Sequence, residues 1–151
     1  MNRIDRFSYF VELAILSAQR GTCKRLRVGC VLVDDFTNRV VSIGYNSSFH
    51  STPHCIDDDC LMLDEHCIRT LHAEQAAIMN LEHKYEKLKC FTTHQPCINC
   101  FKLLAAGNVK FIYYINPYID EGRDLLNNEI NLTMLQVESK ELQNWKVKSK
   151  L

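Results

Sequence analysis

The chain lacks three features that would each point to a broad class of protein. It has no run of about 18 apolar residues, so no segment reads as a membrane-spanning helix. It has no surplus of either charge, because 18 Lys and Arg balance 18 Asp and Glu. Proteins that grip long nucleic acid usually carry a basic excess, so nucleic acid is not expected as a partner. A small anionic substrate stays open, since one phosphate needs only a local cation cluster. There is also no internal repeat or low-complexity tract, and so no sign of a repeat architecture. The opening stretch MNRIDRFSYF has no apolar core of the kind a signal peptide carries. The expected location is therefore the cytoplasm, with no membrane partner.

What the chain does have is 151 residues, 46% hydrophobic and 24% charged, enough to bury a core. A single domain over 1–151 is expected, with about 139–151 as a polar tail. Eight cysteines are many for this length. Inside a cell they point to metal binding or catalysis rather than to disulfides.

Apolar periodicity gives a coarse map. FSYFVELAILSAQRG reads as a helix ending near Gly21, and RVGCVLVDD and NRVVSIGY read as strands joined by a polar hairpin turn. Over 46–69 no period holds, and the segment is rich in Ser, His, Asp and Cys. A loop this long in a compact domain is functional or tied down. A helix over about 71–81 follows, then the strand KLKCFTT, then the helix PCINCFKLLAAG with Pro96 in its first turn and Gly107 beyond its end. VKFIYYI and NLTMLQV are two further strands, separated by the short helix EGRDLLNNEI. Alternating strands and helices imply an α/β fold: a mixed five-stranded sheet covered by helices on both faces. The first two strands should be antiparallel and the later ones parallel.

The chemistry concentrates at two helix starts. Cys97 and Cys100, spaced i and i+3, share a face at a helix N-terminus, where free N–H groups favour thiolates. His72 and Glu74 open another helix and can both reach a point beyond its end. Two thiolates and one imidazole suit Zn²⁺, and three protein ligands leave a fourth position for water whose pKa falls towards about 7. Glu74 would not be a ligand but would take and return that water's proton. H-x-E followed by P-C-x-x-C is the signature of zinc nucleobase deaminases, here HAE at 72–74 and PCINC at 96–100. A lone HAE, or a lone C-x-x-C, would be incidental, structural or redox-active. The two halves together, each at a helix start with one strand between them, are much harder to obtain by coincidence.

Beyond that core the chain resembles the deoxycytidylate (dCMP) deaminase family over most of its length. The matching pieces are TCKRLRVGCVLV, IGYN, HCIDDDCLMLDEHCIRTLHAE, PCINC and YYINPY. The resemblance implies a three-layer α-β-α cytidine deaminase-like fold. The implied reaction is conversion of dCMP and water to dUMP and ammonia, supplying the thymidylate precursor. Zinc-activated water would attack C4 while Glu74 shuttles the proton.

The resemblance also implies substrate contacts, with Asn46 at the deoxyribose and Tyr118 near the phosphate. Arg25 is a candidate phosphate contact in the basic cluster Lys24, Arg25 and Arg27. The alternatives are a turn residue at 46, a rim aromatic at 118 and a solvated turn at 25. Arg69 could equally pair with the acidic run 57–59. His94, in the turn entering the cysteine helix, reads as a capping or packing residue that could line the base pocket.

Some family members carry a second, structural zinc, and a long aperiodic loop needs such a tether. Cys23, Cys55, Cys60 and His66 are the expected ligands, with Cys67 as the alternate fourth. A homohexamer, with dCTP and dTTP as effectors, is implied as well. However, Ser47 stands where the family often has glycine, and Phe49, His50 and Thr52 stand where small residues are common. Bulky side chains restrict approach to a triphosphate, which puts effector control in question.

Rival readings are a tRNA adenosine deaminase, a free-nucleoside cytidine deaminase, or a non-catalytic zinc-stabilised binding protein. The balanced charge and the Cys/His-rich loop weigh against the first, and the GYN motif against the second. A carboxylate beside an open metal position has no use in the third.

Overall fold

The computed structural model describes residues 3–138. The predicted tail at about 139–151 lies outside them. In chain order the elements are α1 (Arg6–Ala18), β1 (Gly29–Asp34), β2 (Val40–Tyr45), β3 (Ser47–Ser48), α2 (Cys55–Asp58), β4 (Met62–Leu63), β5 (His66–Cys67) and β6 (Thr70–Leu71). They continue with α3 (Ala73–Met79), β7 (Leu88–His94), α4 (Ile98–Ala106), β8 (Val109–Asn116), α5 (Glu121–Asn127) and β9 (Thr133–Gln136).

Five strands form one mixed sheet in the order β2-β1-β7-β8-β9. β1 is antiparallel to β2 and to β7, whereas β7–β8 and β8–β9 are parallel. The parallel pairs are those joined through α4 and α5, as crossover connections require.

Both faces of β1 are buried, and its side chains divide between two cores. Val31 and Val33 point to the α1 side, where Phe10, Val11, Ala14 and Phe91 complete one cluster. Cys30 and Leu32 point the other way, onto Ala73, Ala77, Phe101 and Leu104 of α3 and α4. This alternation is the period-two pattern of a central strand. It makes the molecule three layers, helix on sheet on helix. An aromatic group reinforces the α1 side, with Phe7 edge-on to both Phe91 and Tyr113 at centroid distances of 5.5 and 5.1 Å.

Two glycines set how closely helices approach the sheet. A Cβ at Gly44 of β2 would lie 2.1 Å from the Ala73 carbonyl oxygen and 2.4 Å from the Ala77 nitrogen. One at Gly29 would lie 2.0 Å from the Ala14 carbonyl oxygen. Both α1 and α3 therefore rest backbone-to-backbone on the sheet.

The aperiodic stretch is more structured than its sequence suggests. β3 pairs with β6, which closes the base of the loop and delivers the chain directly to His72. Inside it, β4 and β5 form a hairpin whose two turn residues, Asp64 and Glu65, have φ of 45° and 63°. Two successive positive φ values are the mark of a type I′ turn, usually made by Asn and Gly. Arg69 ties the loop further, donating from Nη1 to the carbonyls of Asp58 and Asp59 at 2.8 and 2.9 Å and to the Asp58 carboxylate at 3.1 Å.

Candidate active site

The helices bearing the motifs start later than periodicity predicts. α3 begins at Ala73 and α4 at Ile98, so His72 and Cys97 are the N-cap residues and Pro96 precedes the helix. The physical reason is local. Both residues adopt extended backbone, with φ/ψ of −74°/156° and −69°/167°; His72 forms a capping box with Gln75, while Cys97 makes no capping bond through its side chain. The extended backbone turns both side chains beyond their helix ends, toward one another. Gln75 Oε1 accepts the His72 backbone N–H at 2.8 Å, which fixes that corner.

The two corners meet. His72 Nδ1 lies 3.3 Å from Cys100 Sγ and 3.6 Å from Cys97 Sγ, and all three donor atoms lie within 4.8 Å of one another. A tetrahedral zinc with Zn–S near 2.3 Å and Zn–N near 2.0–2.1 Å needs S···N of about 3.6 Å and S···S of about 3.8 Å. The donor set fits that ion. The hydrogen bond from Cys100, aided by His72, draws the Cys97 thiol down to about 4, so Cys97 is ionised at neutral pH. Cys100 is pushed up by the same bond and by its burial.

Glu74 sits in the first turn of α3 and is only 3% exposed. Burial pushes its carboxyl up from the ordinary value, against the opposing pull of backbone hydrogen bonding and His72. The single Thr92 hydroxyl lies 3.1 Å from the His94 carbonyl and 3.4 Å from Glu74 Oε1, and can donate to either. The Glu74 carboxyl is thus enclosed beside the donor set, within reach of any group held there.

His72, Glu74 and Cys97 line a cavity of about 690 Å³. Arg25, Asn46, His66, Tyr118 and His94 also line it. Arg25 donates to the Glu65 carbonyl, which ties it to the hairpin. Asn46 is buried, and its side chain is already engaged: Oδ1 accepts from Val28 N at 2.8 Å and Nδ2 donates to the Leu26 carbonyl at 2.6 Å. It shapes the 26–28 wall whatever else it touches. Tyr118 is a half-open rim residue whose backbone N–H donates to Gln95 Oε1 at 3.1 Å. His94 bonds to Thr93 Oγ1 at 3.0 Å, and burial pushes its imidazole down.

A second cluster stands at the cavity's edge. The sulfurs of Cys23, Cys55, Cys60 and Cys67 all lie within 4.8 Å of one another, with Cys23–Cys60 at 3.7 Å and Cys55–Cys67 at 3.6 Å. These separations fit a tetrahedral four-sulfur zinc site. The expected fourth member, His66, is not in the set, and its alternate Cys67 is. Adjacent residues of β5 point to opposite sides of the strand, so the hairpin can offer the cluster only one of them. Burial raises the Cys67 thiol, but hydrogen bonding from Arg69, Cys55 and Thr70 outweighs it and brings Cys67 to about 7.

Asp120 is a cavity-lining residue that the sequence did not single out. Its position before a helix marks it only as the cap of α5.

The cytidine and deoxycytidylate deaminase zinc-binding region matches residues 5–116 as a family. The chain is 37% identical over 150 residues to ComE operon protein 2 of Bacillus subtilis, covering 94% of this chain and 76% of that protein. It is 29% identical over 140 residues to the deoxycytidylate deaminase of Saccharomyces cerevisiae, covering 85% of this chain and 44% of the yeast protein. Among solved structures it resembles the dCMP deaminase of cyanophage S-TIM5 in complex with dCMP and dUMP. That likeness has a TM-score of 0.75 and 26% identity, covering 91% of this chain and all of the other. Fold and donor set together define an α/β zinc-binding protein with the cytidine deaminase-like architecture. The chain belongs to the cytidine and deoxycytidylate deaminase family, as its motifs imply, and is a deaminase, hence a hydrolase.

Proposed function

We propose that the substrate is dCMP, deaminated hydrolytically to dUMP and ammonia to supply the thymidylate precursor. The single observation that carries the chemistry is the buried Glu74, which lines one cavity with His72 and Cys97, the two donors that cluster with the enclosed Cys100. Support for the substrate comes from the phage enzyme that binds dCMP and dUMP and from the yeast deoxycytidylate deaminase. His72, Cys97 and Cys100 hold the catalytic zinc. When bound there, zinc supplies a Lewis acid that lowers the pKa of water towards about 7.

The chain's own residues do the rest. Glu74 accepts a proton from the attacking water, which adds to C4 of the cytosine. It returns that proton to N3, then takes the proton of the new C4 hydroxyl and passes it to the departing amino nitrogen, so that ammonia leaves and C4 becomes a carbonyl. Enclosure of Glu74 strengthens each of these transfers. Asn46 borders the sugar, while Tyr118 and Arg25 face the phosphate.

Cys23, Cys55, Cys60 and Cys67 hold a second, structural zinc. Thiolate ligands stay reduced in the cytoplasm, where we place the protein, and every one of its cysteines is free of disulfides. Among the described residues, no helix is long and apolar enough to cross a membrane. The assembly is a homohexamer, as the family resemblance implies, and exposed apolar side chains such as Met79, Ile119 and Leu125 are available to its interfaces.

The test is turnover of dCMP, dCTP, CMP and deoxycytidine, each with and without dCTP or dTTP as effector. The expected result is clear preference for dCMP. Preference for another substrate overturns the assignment and leaves the metal chemistry standing.

A further inference from the structure

The cysteine turn has a problem that its own sequence does not solve. Cys97 occupies the N-cap position of α4, where a side-chain oxygen normally satisfies one of the helix's free N–H groups. A sulfur committed to the donor set makes no such bond, and none is present. The oxygen comes from elsewhere. Asp120, 22 residues downstream, accepts the Ile98 backbone N–H on Oδ2 at 2.7 Å. Its other oxygen, Oδ1, accepts the Arg123 backbone N–H at 3.0 Å and caps α5 in the ordinary way. One carboxylate therefore caps two helices.

The peptide on the other side of Cys97 is held too. Arg123 is only 2% exposed, which is rare for a cation. Its Nη1 donates to the Pro96 carbonyl at 2.9 Å, while Nε and Nη2 donate to Asp124 Oδ1 at 3.0 and 2.8 Å. Arg123 thus exchanges water for one backbone carbonyl and one carboxylate. That carbonyl belongs to the residue immediately before Cys97.

We propose that Asp120 and Arg123 are positioning residues: they clamp the peptides on both sides of Cys97 and so aim its sulfur at the point shared with Cys100 and His72. The inference rests on the reading of those three residues as zinc ligands. It adds that the geometry of the cysteine corner is set from α5, not from α4. Partners that orient metal ligands typically change metal affinity 10- to 100-fold when removed. Asparagine at 120 has one acceptor oxygen and can keep one of the two caps. Lysine at 123 can reach the Pro96 carbonyl but cannot fork onto Asp124.

The experiment follows zinc release from the loaded holoenzyme to a chromophoric chelator. Cys100→Ala identifies the phase that belongs to the catalytic site. Kinetics on dCMP and the melting temperature are measured alongside. Asp120→Ala and Arg123→Met are expected to speed that phase by about 10-fold or more and to lower kcat, with KM changed by less than about 2-fold. Asp120→Asn and Arg123→Lys should fall between these and the wild type, and they carry the test if the harsher variants do not fold. Release from the four-sulfur site should not change. The proposal is overturned if the catalytic-site phase stays within about 2-fold of wild type in all four variants. It is equally overturned if every phase speeds up together as the melting temperature drops, since that is general loosening. A wild-type protein lacking any phase that Cys100→Ala removes would instead overturn the ligand reading itself, and this inference with it.

Discussion

The molecule holds two sulfur clusters, and they are built on opposite plans. The His72, Cys97 and Cys100 donors sit at two helix starts against the main core, with Cys100 completely enclosed. Cys55, Cys60 and Cys67 sit on a loop whose longest elements are a four-residue helix and two-residue strands, and Cys23 reaches them from the connection between α1 and β1. In the first case the fold positions the donors. In the second the donors help position the fold, because the loop's large apolar side chains, such as Ile56, Leu61, Leu63 and Ile68, are about half exposed and build no core. The first offers three ligands and a buried carboxylate beside them. The second offers four sulfurs and closes. Three ligands and an acid make a reaction centre, while four ligands make a rivet.

The largest effect should come from the residue that only the first cluster has. Glu74→Gln should keep the catalytic zinc and lower kcat on dCMP by about 10²- to 10⁴-fold. Metal analysis and turnover on the same sample decide it, and near wild-type turnover would erase the distinction between the clusters. Next in size is the pair that separates ligand from neighbour on β5. Cys67→Ala should lose one zinc equivalent and cost several kcal/mol of stability, since structural zinc binding is folding free energy. His66→Ala should keep both the zinc and the melting temperature. The reverse pattern would show that the hairpin turns its other side inward.

The smallest effect lies away from both clusters. Asp35 is paired with Lys87 at 2.7 Å and Lys89 at 2.6 Å, and hydrogen bonds from these lysines hold its carboxyl below the usual value. A depressed folded pKa stabilises above the unfolded value of about 3.9 and is lost as pH falls through the folded one. Asp35→Asn should therefore cost about 0.5–1 kcal/mol at neutral pH. Its deficit relative to wild type should shrink below about pH 4, and at neutral pH its zinc content should equal that of wild type. Thermal unfolding of both proteins across pH measures this.

Much of this contrast was legible in the residues alone. Alternating apolar runs gave the element order. The pairing of HAE with PCINC gave the first cluster, because short-range spacing is what a helix start converts into geometry. Legibility failed where the deciding contact was distant or the backbone unusual. Choosing Cys67 over His66 requires knowing that the two lie on a strand. That strand depends on a turn made by Asp64 and Glu65 at positive φ, which neither residue type advertises. The late starts of α3 and α4 follow from His72 and Cys97 serving as N-caps, a position that residue preference gives to Ser, Thr, Asp and Asn. Asp120 and Arg123 were invisible for a similar reason. An aspartate before a helix announces its own helix and says nothing of a second one. Likewise, an arginine in EGRDLL reads as solvated until its carbonyl partner at Pro96 is seen.

The bare backbone at Gly44 bears on how this scaffold can be reworked. With Ala73 resting directly on it, the distance from sheet to His72 is a fixed ruler, while the cysteines hang from a different helix with a ruler of its own. A chamber for a bulkier base cannot be made by lifting α3, since any added atom at 44 would shift one half of the metal grip and leave the other behind. Room has to be found at the rim, around 94, 95 and 118, where side chains can change without altering either distance.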